Sequence, residues 1–162
     1  MGRADEKDHP AQAITLRGRA QILHADTAMT MVLIADDMEA VRRLLRLTLE
    51  SRHTLLEAED GGEALALLRR HRPAVAILDV VMPGLSGLQV CRLIREDPDL
   101  RAIGVIILSA NAAADDARRA GADRFFVKPF LPSALLRAVD DLLDAPPARR
   151  AELTCASGTP TL

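Results

Sequence analysis

Tryptophan and tyrosine are absent from the 162-residue sequence, and phenylalanine occurs only three times. A chain so poor in rings has little with which to stack single-stranded bases or cage a cation, and its core has to be aliphatic. Cysteine is scarce too: Cys91 and Cys155 form neither a ligand pair nor a disulfide framework, which fits a reducing compartment. No sign of charge dominates, with 21 lysines and arginines against 23 acidic residues, and the basic residues are scattered. That leaves no footprint for nucleic acid or an anionic membrane. No run is long and apolar enough to span a bilayer, and the first thirty residues, with Arg3, Asp5, Glu6, Lys7 and Asp8, contain nothing like a signal peptide. The expectation is a cytoplasmic protein with no membrane contact.

What the sequence does hold is aliphatic material in a regular alternation. Hydrophobic residues make up 49% of the chain, enough for the core of one domain of ordinary size. From Met31 onward, short β-branched or aliphatic runs alternate with longer segments of helical periodicity, as in a parallel sheet with crossover helices. The predicted strands are Met31 to Ala35, Thr54 to Ala58, Ala74 to Leu78, Val105 to Leu108 and Arg124 to Val127. Val41, Leu44, Leu45 and Leu49 share one face of a first helix. Ala64, Leu65 and Leu68 face inward from a second that stops at Pro73, Leu88, Cys91 and Ile94 from a third, and Leu135, Val139, Leu142 and Leu143 from the last. Three units follow: an extension over 1–29 read as disordered, a folded domain over 30–144, and a proline-containing tail over 145–162, also read as disordered.

Open parallel sheets bind ligands beyond the carboxyl ends of their strands. The polar residues at those ends are Asp36 and Asp37 after the first strand, Asp79 after the third, Ser109 after the fourth, and Lys128 with Pro129 after the fifth. In a doubly wound sheet of order 2-1-3-4-5 the first and third strands are neighbours, so three carboxylates meet at one crevice. Like charges about 4 Å apart repel by roughly 4 kcal/mol at an effective dielectric near 20, so the cluster calls for a cation. Hard oxygen donors with open positions suit Mg²⁺, with Mn²⁺ as an alternative, and Lys128 supplies a second positive charge. Such a set favours in-line phosphoryl transfer, with Asp79 as the nucleophile.

Taken singly, each residue has a plainer reading. The acidic pair would more often cap a helix, Ser109 would be a strand-end hydroxyl, and Phe125 a core residue. Beside Phe125, Phe126 has to face the other way and is expected under a helix. Pro83, Gly84 and Gly87 shape the loop after Asp79. His24, His53 and His71 show no ligand spacing and read as solvated, as do Arg42, Arg43 and Arg46.

The acidic pair, "ILDVVMPGLSG" around Asp79, "ILSA" at Ser109 and "FFVKPF" at Lys128, in that order on the predicted strand ends, resemble the receiver domain of two-component response regulators. The resemblance covers about 115 residues, from Met31 to Asp144, and implies a flavodoxin-like (βα)5 fold of order 2-1-3-4-5 with helices on both faces. It also implies that Asp79 is the phosphoacceptor, that Asp37, Asp79 and the Val81 backbone carbonyl bind Mg²⁺ directly, and that Asp36 acts mostly through water. Lys128, joined to Pro129 by a cis peptide, would contact the phosphoryl oxygens, with Ser109 and Phe125 as switch residues. The partners implied are a histidine kinase or histidine phosphotransfer domain and an unknown downstream protein.

The chain departs from the family in two places. The segment from Ser109 to Lys128 is about three residues shorter than usual, nearly one turn at 3.6 residues per turn, so the alanine-rich fourth helix should be short and weakly held. Phe125 lacks the hydroxyl of the tyrosine often found there. The eighteen residues after Asp144 are too few for an effector domain, so the expectation is a stand-alone receiver acting by protein contact, without nucleic acid in cis. An aspartyl-phosphate phosphatase is disfavoured because Val81, and not a second carboxylate, stands two residues after Asp79. A docking module indifferent to phosphorylation is disfavoured by the complete residue set.

Overall fold

The computed structural model describes residues 29–111 and 114–145. The expectations for the two tails, together with His24 and Cys155, lie outside them apart from Met29 and Ala145. Period-two alternation of aliphatic residues builds strands β1 (Thr30–Ala35), β2 (His53–Ala58), β3 (Val75–Asp79), β4 (Gly104–Ser109) and β5 (Arg124–Val127). Helices α1 (Glu39–Leu49), α2 (Gly61–His71), α3 (Gly87–Glu96), α4 (Ala114–Ala120) and α5 (Pro132–Asp144) follow them in turn. All strand pairs are parallel and the order is β2-β1-β3-β4-β5, as the sequence predicted.

The alternation sorts the core into two layers. Leu33, Ala76, Leu78, Val105 and Ile107 point to the side covered by α2, α3 and α4, where Leu68, Cys91, Ile94 and Ala117 meet them. Val32, Ile34, Val75, Ile77, Ile106 and Leu108 point to the other, against Leu45 and Leu49 of α1 and Leu135, Val139 and Leu142 of α5. The adjacent phenylalanines divide in the same way, Phe125 toward the first layer and Phe126 toward the second, edge-on to Phe130. Burial pushes the Cys91 thiol up to about 11, so it stays protonated in the core, where it donates to the Ala120 carbonyl at 3.2 Å.

Local signals set the helix ends. Asp60 accepts the Glu63 amide at 2.8 Å to start α2, and Ser86 and Gln89 form a reciprocal capping box at the start of α3. Pro132 occupies the first turn of α5, where its missing N–H costs nothing. The predicted short fourth helix spans seven residues. Its far end is held by Arg95, which donates to the carbonyls of Gly121, Ile103 and Arg101 and to Asp123 Oδ2 at 2.9 Å. The same Asp123 oxygen accepts the Val105 amide at 2.7 Å. No described helix is long and apolar enough to cross a membrane.

One sequence expectation is corrected here. His53 is buried, not solvated, because β2 alternation turns it inward with Leu55, toward the layer of α1 and α5. Neither ring nitrogen has a hydrogen-bond partner among the described residues, and Nε2 lies 3.9 Å from Asp140 Oδ1. Burial lowers the pKa of the imidazole, against a smaller opposing pull from Asp140.

Candidate functional site

At the carboxyl end of β1 the Asp36 amide still reaches across to the Ala58 carbonyl, at 3.2 Å, before the chain leaves the sheet. Asp36 is fully buried, and its Oδ1 accepts the Met38 amide at 2.9 Å, turning the backbone into α1. Met38 holds the N-cap position of α1 with no side-chain cap bond, so neither member of the doublet caps that helix. Asp37 is exposed. β3, between β1 and β4, ends on the buried Asp79, whose Oδ2 accepts the Val81 amide at 3.2 Å. Lys128 leaves β5 with its amide on the Ser109 carbonyl at 2.7 Å, which fixes where its stem starts. Its ammonium then reaches Asp36 Oδ2 at 2.7 Å and Asp79 Oδ1 at 2.8 Å. The Lys128–Pro129 peptide is cis.

Carboxylate oxygens of Asp36, Asp37 and Asp79 all lie within 4.8 Å of one another. Burial raises the pKa of Asp79, and the neighbouring Asp36 charge adds to that, against the pull of the Lys128 ammonium. Burial also opposes the charge on Lys128, but its hydrogen bonds to Asp36 and Asp79 outweigh this and raise its pKa. One ammonium therefore faces three acidic side chains. Hard oxygen donors at this spacing, with Asp37 on the solvent side, suit a divalent cation such as Mg²⁺ or Mn²⁺ that keeps some of its water.

Around this centre Ser109 is buried at the end of β4, its Oγ accepting the Asn111 amide at 3.1 Å. Phe125 sits three residues before Lys128, partly buried beside α4. The loop after Asp79 turns through Pro83 and Gly84, the latter at φ +72°, a conformation natural only to glycine. Gly87 lets α3 begin directly against the site: a Cβ there would lie 2.1 Å from the Asp79 carbonyl oxygen.

Arg42, read from the sequence as solvated, is buried instead and belongs to this neighbourhood. One guanidinium nitrogen donates to the Asp36 carbonyl at 2.8 Å, and another to Glu59 at 2.7 Å and to Glu39. The signal was present: Arg42 precedes Leu45 by three residues and Leu49 by seven, which puts all three on the inward face of α1. Arg46, four residues further on, is intermediate in exposure and pairs with Glu57 through two hydrogen bonds.

The family model described as response regulator receiver domain matches residues 32–140. The chain belongs to that family. This receiver is 36% identical over 119 residues to PilH of Pseudomonas aeruginosa, an alignment covering 71% of the chain and 98% of that protein. It is 38% identical over 143 residues to the transcriptional regulatory protein ResD of Bacillus subtilis, covering 83% of the chain and 55% of ResD, little more than half of the longer protein. Among solved structures, CheY4 of Vibrio cholerae superposes with a TM-score of 0.66 at 29% identity, covering 71% of this receiver and 99% of CheY4. DrrB of Thermotoga maritima does so at 0.65 and 27% identity, covering 72% and 53%. The receiver is a signalling domain of two-component systems.

Proposed function

We propose that this receiver, spanning residues 30–144, accepts a phosphoryl group on Asp79 from a histidine kinase or histidine phosphotransfer domain in the cytoplasm. The observation that carries this reading is the Lys128 ammonium held between Asp36 and Asp79, with a third carboxylate within 4.8 Å. Asp79 attacks phosphorus, forming an O–P bond as the donor's N–P bond breaks and the imidazole departs. Lys128 neutralises charge on the transferring oxygens, the Val81 amide holds Asp79 Oδ2, and burial keeps competing water from the nucleophile. Asp37, Asp79 and the Val81 carbonyl would hold Mg²⁺ with Asp36 behind them. When bound, the ion supplies further charge stabilisation at the phosphoryl oxygens.

The phosphoryl group adds about −2 charge and three acceptor oxygens beside the β4–α4 and β5–α5 loops. Ser109 turns its hydroxyl toward it, Phe125 moves behind, and the altered surface around α4, β5 and α5 engages a downstream protein. The donor has an apolar landing place close by, since Met38, Leu44 and Leu131 are exposed and Val41, Leu44, Pro129 and Phe130 line a cleft next to Lys128.

Intact-mass measurement after incubation with a small phosphodonor and Mg²⁺ tests the reading. A persistent gain of one phosphoryl group, absent in Asp79→Asn, is expected. Absence of any gain in the unaltered protein would overturn it in favour of a docking module, and rapid multiple turnover of the donor would point to a phosphatase.

A further inference from the structure

We infer that Arg42 is a positioning residue for the acidic site: its guanidinium fork sets the Asp36 carbonyl and so holds the Asp36–Asp37 doublet in the arrangement a divalent cation needs. This rests on the reading of the site given above.

A single peptide unit joins the two aspartates. Its Cα atoms, carbonyl and amide lie in one plane, so orienting the Asp36 carbonyl orients the frame from which both carboxylates branch. Beyond the last β1–β2 register pair, Ala35 with Ala58, the sheet no longer holds that carbonyl. Arg42 Nη1 takes over at 2.8 Å, while Nη2 is anchored by Glu59 at 2.7 Å and by Glu39. One side chain thus ties the β1–α1 turn, the first turn of α1 and the β2–α2 loop together.

The charge distribution points the same way. A guanidinium whose side chain is 7% exposed is costly to bury unless paired. Its hydrogen-bonded partners Glu39 and Glu59 are 64% and 72% exposed, so their negative charges sit at the solvent edge, while Glu57, 30% exposed, adds a longer-range charge 3.8 Å from Nε. The fold therefore buries the fork against the site and leaves the two carboxylates it hydrogen-bonds at the solvent edge. The planar, five-donor geometry is what lets one cation serve a carbonyl and two carboxylates at once, and a lysine ammonium on its own stem cannot span them.

Mn²⁺ is the probe, with the free ion counted by electron paramagnetic resonance and each titration corrected for the folded fraction. Loss of a partner that orients metal ligands commonly weakens binding about 10- to 100-fold, and Arg42→Met is expected in that range. Arg42→Lys, which keeps the charge and loses the fork, should remain weak. Glu59→Gln, at the exposed anchor, should weaken binding less but in the same direction. Affinity within about twofold of the unaltered protein for Arg42→Met, or full recovery with lysine, would overturn the inference. Should Arg42→Met fail to fold, unchanged affinity in Glu59→Gln would overturn it instead. If the unaltered protein neither binds Mn²⁺ nor accepts a phosphoryl group, the functional reading falls and takes this inference with it. If it does both and the variants match it, only the role of Arg42 is lost.

Discussion

The two rims of the sheet bury the same kinds of ionic group and use them differently. At the amino ends of β4 and β5, Arg95 meets one carboxylate, Asp123, and three backbone carbonyls, and Asp123 also takes a backbone amide. Arg95 makes four hydrogen bonds there and its charge is paired with that of Asp123 one to one. At the carboxyl ends, Lys128 is one cation among three carboxylates, one of them open to solvent. A closed account of charge makes a staple, whereas an open one leaves capacity for a ligand.

The largest test of this contrast is Arg95→Met. It strands Asp123, whose side chain is 3% exposed, without a counter-ion, and a loss of about 3–5 kcal/mol in denaturant unfolding is expected. Added Mg²⁺ should restore none of it. A loss below about 1 kcal/mol would erase the distinction between the rims. Lys128→Gln comes next. It should slow phosphoryl transfer from a small donor by about 10²–10³-fold, as loss of one preorganised positive donor does. It should also destabilise the protein in chelator and recover with millimolar Mg²⁺, because a mobile cation can take over the missing charge at this rim alone. Mg²⁺ that rescued neither variant, or both, would break the comparison.

The smallest effect concerns His53, a neutral group buried near the amino rim. Its pKa in the folded protein lies below the ordinary 6.5, so on acidification the unfolded chain takes up the proton first. Stability attributable to this residue is complete above 6.5 and declines as the pH falls through that value toward the lower folded one. His53→Leu should flatten this part of the stability profile. It should also gain on the order of 1 kcal/mol at neutral pH, since two unpartnered ring nitrogens are replaced by carbon. Chemical denaturation from pH 7.5 to 5 reads both, and an unchanged slope would show that the imidazole is already hydrated in the native state.

The architecture and the gathering of the acidic residues with Lys128 were legible because each depends on position along a strand. Alternation sorts Val32 from Leu33 and Phe125 from Phe126, and a parallel sheet brings the strand ends to one rim whatever the intervening helices contain. Arg42, Arg95 and His53 were less legible for a common reason: their polarity suggests water, while their register faces the core. Periodicity places Arg42 with Leu45 and Arg95 one turn after Cys91, but only the folded partners reveal that carbonyls and carboxylates wait there. The shortened α4 was visible in the spacing from Ser109 to Lys128. Its anchorage through Gly121 was not, since that depends on a side chain from another helix.

The bare glycine at position 87 has a mechanical corollary. With α3 seated so close that a single methyl would collide with the Asp79 carbonyl, the main chain at Asp79 rests on an anvil and has nowhere to recoil on that side. If Asp79 takes a phosphoryl group as proposed, the strain of accommodating it would fall on the opposite side, on the segments bearing Ser109 and Lys128.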